Sequence, residues 1–512
     1  MEKLIVVANR FPPRQSARTI MPLRFLHLIL LALILLPATP RAATTNDILA
    51  RATAALAATT PHAQADPTRP LFHVISPAQW MNDPNGPIYF KGWYHLFYQL
   101  DPYSDRGGPK YWGHVRSRDL VKWEPLPIAL WPSQEKNETE IWSGCCTVNG
   151  LGQPMIFYTS VARGQPADIH AEQWAATSDD PGLLTWQKSP ANPILTEALN
   201  GGRKVYDWRD PFVFHFKNRT FLVTGGNLNH GSGGQAAVNL YEAQNPALTQ
   251  WTYRGVLFQD TNAPTAECPN FFQLGGQWVL FLSPYGQVHY FIGDFNPDTC
   301  RFQPRTHGLL DHASGFYAPN TMLVPDGRRI VWGWVTGFPG GLGWNGCLSL
   351  PRLLSLTRDD QLRQTPAPQL QKLRGPRVQW RNLPLNDAVT SLPLPDTNTL
   401  EIQATLHLNT ATHLELRFAS DAAAATPIEI GYNGTELTVL DARSPLTQPP
   451  GAPPLTLRVF FDRSVLEIFA NDTVCFTKVI TPLGNHPRLE LRATGGAARA
   501  DRVQAWPMKT IW

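Results

Sequence analysis

Charge is scarce in this sequence. Asp, Glu, Lys and Arg make up 16% of its 512 residues, and the 44 basic and 40 acidic side chains are dispersed without a long run of either sign. That distribution argues against the basic stripe by which nucleic-acid binders find phosphate. Cysteine is scarce too, with six residues, too few for a disulfide scaffold in an exported chain of this size. Cys145 and Cys146 are adjacent, so in a strand they point to opposite faces and do not easily pair with each other; one or two bridges elsewhere stay open. The histidines show no trusted His-x-x-x-His or similar ligand spacing, so no metal and no cofactor are expected. A G-x-S-x-G elbow and a phosphate-binding glycine loop are both missing.

A long apolar run is also lacking. Residues 22–43, "PLRFLHLILLALILLPATPRAA", carry Arg24 and an aliphatic stretch that ends at Pro37. The stretch is short for a membrane span and is followed by small residues, the pattern of a secretory signal. Residues 1–43 are therefore expected to be a leader, with Met21 where such a signal starts and the first twenty residues an over-extended start; a long leader or a signal anchor is the alternative. No cysteine closely follows the run, which disfavours a lipoprotein anchor. The expectation is a secreted or periplasmic protein with no stable membrane insertion once the leader is cleaved.

What the chain has in quantity is 47 prolines, 38 glycines and 11% aromatics, including 17 tryptophans. This composition indicates β-structure with many short connections. Tryptophan rings stack on the apolar faces of sugars, although most of them belong to strand cores. Five segments share one plan, a polar or aromatic opening, a strand, a turn and a second apolar strand: "NDPNGPIYFKGWYHLFYQ", "WSGCCTVNGLGQPMIFYT", "WRDPFVFHFKNRTFLVTGG", "ECPNFFQLGGQWVLFLSP" and "FYAPNTMLVPDGRRIVWGW". Their equivalent markers, Asp83, Ser143, Asp210, Glu267 and Tyr317, recur every 50 to 70 residues or so, room for four strands per repeat. The expected fold is all-β, a five-bladed β-propeller over residues 70–355. A stack of unrelated hairpins in one sandwich is the alternative. After a linker at 356–375 the texture changes to short period-2 runs such as "LEIQATLHL" and "LELRAT", so residues 376–512 should form a C-terminal β-sandwich.

In a propeller the first residues of every inner strand lie at one mouth of the central channel. Asp83, Asp210 and Glu267 would meet there. Asp83 and Asp210 precede proline and Glu267 stands two residues before one, which restrains the backbone near each acid toward extended geometry. A single Asp-Pro is most often a turn, but three acids at equivalent places in three repeats point to chemistry. Paired carboxyl groups with aromatic walls suit glycosidic-bond cleavage, one protonating the leaving oxygen and one attacking the anomeric carbon or activating water. Like charges held close keep at least one of them protonated near neutral pH. His95, His114 and His312 lie near these motifs and are assigned to core or rim.

The motifs "WMNDPNG", "FYQ", "WGH", "WSG", "RDP", "ECP", "FYAP", "WGW" and "LPR", in this order, and "FDRSVLEIFAND" in the sandwich, resemble those of glycoside hydrolase family 32, the invertase, inulinase and levanase group. The resemblance runs from about Phe72 to the C-terminus. It implies a retaining mechanism on β-fructofuranosides, with Asp83 as nucleophile, Glu267 as acid/base, and Asp210 with Arg209 holding the fructose hydroxyls. It further implies that Asn82, Gln99, Trp112 and Ser143 line the fructose pocket and that Trp80 supports its wall near the leaving group. Trp142 belongs to the same set, though it and Trp112 are equally readable as packing residues. Departures from the family pattern are Asn270 where an Asp often follows "ECP", expected to alter hydrogen bonding around Glu267, Ala313 in place of a glycine, Gly315 in place of an Asp, and the Cys145–Cys146 pair.

The expected activity is hydrolysis of terminal β-fructofuranosides in sucrose, inulin or levan. A fructosyltransferase that uses sucrose as donor is the chemical alternative, and a non-catalytic fructan-binding propeller is the alternative from another class.

Overall fold

The computed structural model describes residues 45–162, 171–229, 235–421, 426–447 and 453–512. The expected leader lies outside the described residues. From Thr44 to Trp512 the chain forms one compact unit, nearly all β, as a β-propeller followed by a β-sandwich.

Each of the five repeats read from the sequence opens a sheet of its own. The strands Gln79–Phe90, Glu138–Val148, Tyr206–Phe216, Glu267–Leu274 and Phe316–Leu323 each start a separate four- or five-stranded sheet and pair antiparallel with the strand that follows. Turn chemistry sets these hairpins. Lys91-Gly92 and Gly275-Gly276 are two-residue loops with both residues at positive φ, the backbone that matches the twist of the flanking strands.

A second regularity concerns the prolines. In four of these strands the pairing register slips at the motif proline or one step away, between Met81 and Pro84, Glu267 and Asn270, Tyr317 and Asn320, and beside Arg209. Proline removes a ladder donor, and a bulge re-aims the neighbouring side chains. Asp210, Cys268 and Ala318, each just before its proline, have positive φ, which a non-glycine residue holds only where its surroundings impose it. The strand starts are thus bent, and Asp210 departs from the extended geometry expected of a residue before proline, while Glu267 keeps its place in the ladder opposite Ser283.

The first strands pack against one another: Gln79–Phe90 touches both Glu138–Val148 and Phe316–Leu323, and Tyr206–Phe216 touches both Glu138–Val148 and Glu267–Leu274. The first sheet also recruits Trp344–Asn345, which runs parallel to Gln79–Trp80.

Two six-stranded sheets form the C-terminal sandwich. Alternation is plain in His413–Ala419 and Arg488–Thr494, whose buried leucines, Leu414, Leu416, Leu489 and Leu491, join one core cluster. Val465–Ala470 is buried along its whole length. Leu466, Ile468 and Ala470 enter the sandwich core, while Val465 and Phe469 enter the core that holds Phe72 and Trp344. One strand therefore serves two cores.

Two features differ from the sequence reading. A helix, Thr45–Ala65, precedes the first strand; its buried Ile48, Ala52 and Leu56 are spaced at i, i+4 and i+8 along one face. The segment 356–375 holds the strand Leu362–Pro366, paired with Arg352–Leu356 in the fifth sheet, and the 3-10 turn Pro368–Leu373. No helix among the described residues is long and apolar enough to cross a membrane. All six cysteines are unpaired, and the Cys145 thiol accepts the Val213 N–H at 3.2 Å.

Candidate active site

The starts of the five inner strands surround a cavity of about 420 Å3. Asp83, Asp210 and Glu267 line it, as do Asn82, Gln99, Trp142 and Arg209. Three acids distant in sequence are brought together by equivalent positions in three sheets.

Asp83 is held from below. Its Oδ2 accepts the Ser143 hydroxyl at 2.5 Å and its Oδ1 accepts Asn82 Nδ2 at 3.0 Å. Asn82 Nδ2 also donates to Gln99 Oε1 at 2.7 Å, and Gln99 Nε2 donates to Ser143 Oγ at 2.6 Å. Trp80 Nε1 donates to Asn82 Oδ1 at 2.8 Å, so each partner of the carboxylate has its own orienting bond. Burial raises the Asp83 carboxyl above its usual value, opposed by hydrogen bonds from Ser143, Asn82 and Cys268.

Asp210 Oδ2 accepts the Cys268 N–H at 2.8 Å, and the Asp210 N–H donates to Thr159 Oγ1 at 2.8 Å. Burial pushes its carboxyl up to about 6, against the pull of the Arg209 charge. The Cys268 thiol lies 3.6 Å from Asp83 Oδ2 and 3.5 Å from Asp210 Oδ2. It stays a thiol there, because burial and then the surrounding acids push it well above its usual value.

Glu267 faces a different set. Its Oε2 accepts the Tyr317 hydroxyl at 2.6 Å and its Oε1 lies 3.1 Å from Arg209 Nη2. Burial is again the largest cause and raises the carboxyl to about 7; Arg209 opposes it, while the charges of Asp210 and Asp83 add to it. The outcome is a carboxyl group poised to give and to take a proton near neutrality.

Other predicted residues sit elsewhere. Trp112 is fully buried, its Nε1 donates to the Trp142 carbonyl at 3.1 Å, and it stands behind the cavity wall rather than among the lining residues. Ser143 is buried under Asp83. Trp80 packs edge-on to Trp334, with ring centroids 5.7 Å apart. Asn270 does not reach Glu267: its Nδ2 donates to the carbonyls of Cys268 and Pro319, at 3.1 and 3.0 Å, and its Oδ1 accepts the Thr321 N–H. An amide is needed to donate to two carbonyls. It ties the fourth inner strand to the fifth, and near Glu267 it bonds the neighbouring Cys268 carbonyl and not the acid itself.

The structure adds five residues to the lining, Lys110, Glu140, Tyr285, Tyr317 and Trp334. Tyr285 stands at the rim, largely exposed, and accepts Arg209 Nη2 on its hydroxyl at 2.6 Å. Glu140 Oε2 accepts Trp142 Nε1 at 2.9 Å. Trp334 and Tyr317 lie in motifs the sequence reading used as markers without assigning them to the site; Lys110, Glu140 and Tyr285 belong to no motif. No group of three or more His, Cys, Asp or Glu able to hold a metal ion occurs among the described residues.

Residues 73–366 match the Glycosyl hydrolases family 32 N-terminal domain and residues 369–507 match the Glycosyl hydrolases family 32 C terminal. A levanase of Bacillus subtilis (strain 168) is 30% identical over 506 residues, covering 87% of this chain and 71% of its own length. A raffinose invertase of Escherichia coli is 31% identical, covering 84% of this chain and 93% of its own. A sucrose-6-phosphate hydrolase of Zymomonas mobilis is 32% identical over 79% of this chain and 84% of its own. Among solved structures, a GH32 beta-fructofuranosidase of Bombyx mori superposes with a TM-score of 0.78 at 26% identity, over 91% of this chain and 99% of its own. A mutant of that enzyme has been solved in complex with sucrose.

Proposed function

The chain belongs to family 32 of the glycosyl hydrolases, and from that premise we propose that it cleaves terminal β-D-fructofuranosides with retention, through a covalent fructosyl intermediate on Asp83. The observation that carries this reading is the division of labour in the cavity. Asp83 is fixed by Ser143 and Asn82, and Glu267, beside Tyr317 and Arg209, is raised to about 7.

In the proposed cycle protonated Glu267 gives its proton to the leaving oxygen as an Asp83 oxygen bonds to C2 of the fructosyl unit. The departing sugar leaves, and water enters its place. Ionised Glu267 then takes a proton from that water, which attacks C2 and releases Asp83. Asp210 accepts hydrogen bonds from fructose hydroxyls that strengthen as positive charge develops on the ring. Arg209, charged and over the Trp142 ring at 5.2 Å, fixes the orientation of Glu267.

We also propose that five blades close around one axis. Support comes from the packing of the five first strands on one another and from two cavities, one lined by the starts of all five and one by their far ends. Export through the leader is proposed on the sequence pattern of residues 21–43.

Parallel incubation with sucrose, sucrose 6-phosphate, inulin and levan, with products resolved over time, tests the activity. Equal fructose and glucose from sucrose defines an invertase, and fructose alone from a polymer an exo-hydrolase. Longer products at high sucrose define a transferase. No product from any substrate by the folded protein rejects the proposal and restores the binding-module alternative.

A further inference from the structure

The far ends of the five inner strands surround a second cavity, also of about 420 Å3, at the mouth opposite the carboxylates. Its chemistry is the reverse of the catalytic pocket. No Asp or Glu lines it among the described residues; its polar lining includes Thr147, His215, Gln273, Thr321 and Arg329. Arg329 is the one fixed charge. Its Nη1 donates to Thr321 Oγ1 at 3.0 Å, and its Cζ lies over the Phe272 ring at 4.2 Å. Its Nε is shut away from solvent without a partner, and no carboxylate lies within 4.0 Å of it among the described residues.

The side chain as a whole keeps partial exposure, but a guanidinium whose Nε is shut from solvent is ordinarily matched by a carboxylate, because desolvation otherwise disfavours the charge. Here burial alone lowers its pKa to about 9, with no acid to offset it, so at neutral pH it is a cation lacking a counter-charge. The same cavity is lined by the Thr321 and Thr147 hydroxyls and the exposed Gln273 amide, while His215, with Nε2 3.1 Å from Thr147 Oγ1 and Nδ1 3.0 Å from Thr220 Oγ1, holds the Thr147 side chain in place. A planar fork of N–H donors with hydroxyl neighbours is matched to tetrahedral or planar oxyanions.

We propose that this second mouth binds a small oxyanion, the phosphate or carboxylate group of a small polar molecule, with Arg329 as its counter-charge. The catalytic pocket sets Asp83, Glu140, Asp210 and Glu267 against Lys110 and Arg209, so the two cavities present different charge to a ligand.

Titration calorimetry of the whole protein with inorganic phosphate, and separately with acetate, at constant ionic strength tests this. The expected result is saturable binding of at least one ion, with the tighter one assigning the group. Arg329→Gln should weaken it by roughly tenfold or more, the worth of one charge-assisted hydrogen bond. Gln273→Glu is an independent variant at an exposed position that leaves the core alone; its added negative charge should weaken binding comparably. An unchanged thermal midpoint without ligand checks that each variant folds. Absence of saturable heat with both ions, or equal affinity in the wild type and Gln273→Glu, overturns the proposal.

Discussion

Glu267 has to be an acid at one moment of the proposed cycle and a base at the next, and its surroundings balance both. Burial and the charges of Asp210 and Asp83 favour the proton, while Arg209 and the Tyr317 hydroxyl favour its loss. Glu267→Gln should lower kcat by about 10²–10⁴-fold, read in steady-state kinetics. A carboxyl whose folded pKa lies above its unfolded value binds more protons in the native state, so stability falls as pH rises from about 4.5 toward about 7. Glu267→Gln should therefore raise Tm relative to wild type at pH 8 and leave it nearly unchanged at pH 4; a Tm difference independent of pH contradicts this. Tyr317 donates to Glu267 Oε2 at 2.6 Å, a bond that stabilises the ionised form. Its removal in Tyr317→Phe should move the alkaline limb of the kcat/KM profile to higher pH. A limb that stays put, or moves down, shows that Glu267 does not set it.

At the scale of elements, the two strands that follow the first inner strand carry a buried imidazole pair. His95 Nδ1 and His114 Nε2 are 3.0 Å apart, both rings are shut from solvent, and His114 stacks on Phe97 at 4.0 Å. Burial lowers His95 to about 4 and His114 well below its usual value. Both are neutral in the fold, and their contribution to stability is present above about 6.5 and is lost as pH falls toward 4. Thermal melts of His114→Phe should show a shallower decline of Tm across this window than wild type, even though the unpaired His95 nitrogen lowers Tm at pH 7. An equally steep decline assigns the acid sensitivity to other groups. Such pairs also mark what was legible beforehand. The recurring strand–turn–strand plan located every inner hairpin, because turn residues act locally. Tyr285, Lys110 and Glu140 were not legible, since Lys110 and Tyr285 reach the cavity from loops between strands and none of the three carries a pattern in its own segment. The Thr45–Ala65 helix was legible in the spacing of Ile48, Ala52 and Leu56, and was obscured by the neighbouring leader-like run. Gly315 and Asn270, departures by comparison with the family motifs, become intelligible only with partners in place: a Cβ at Gly315 meets the Thr477 carbonyl at 2.4 Å.

Across the whole molecule, the propeller and sandwich are joined through a buried network of charge. Asp462 accepts the N–H groups of Leu71, Phe72 and His73 and faces His73 Nδ1 at 2.7 Å. Glu467 faces His73 Nε2 at 3.0 Å, accepts the Leu350 N–H at 2.6 Å and receives Arg352 Nη2 at 2.7 Å. Arg352 in turn meets Asp311 at 3.2 Å and the Thr477 hydroxyl at 2.6 Å. The ion-pairing side chains have no exposure. Removing one partner from such a network leaves charge buried without compensation, so Glu467→Gln should cost about 3–5 kcal/mol, measured by denaturant unfolding. Because the same residues bridge both domains, wild-type unfolding should remain a single transition by calorimetry. Two transitions, with the sandwich melting apart from the propeller, would show that the network does not couple them. The two carboxylates raise His73 to about 9 in spite of its burial. Its protonated form contributes stability in full below about 6.5, and that contribution is lost as pH rises through about 9. The His95–His114 pair loses its contribution in the opposite direction, so the two contributions together are greatest, and Tm should peak, at about pH 6.5. Glu467→Gln should flatten the alkaline side of that profile and leave the acid side as steep as before, which separates the interdomain network from the buried imidazoles in one pair of titrations.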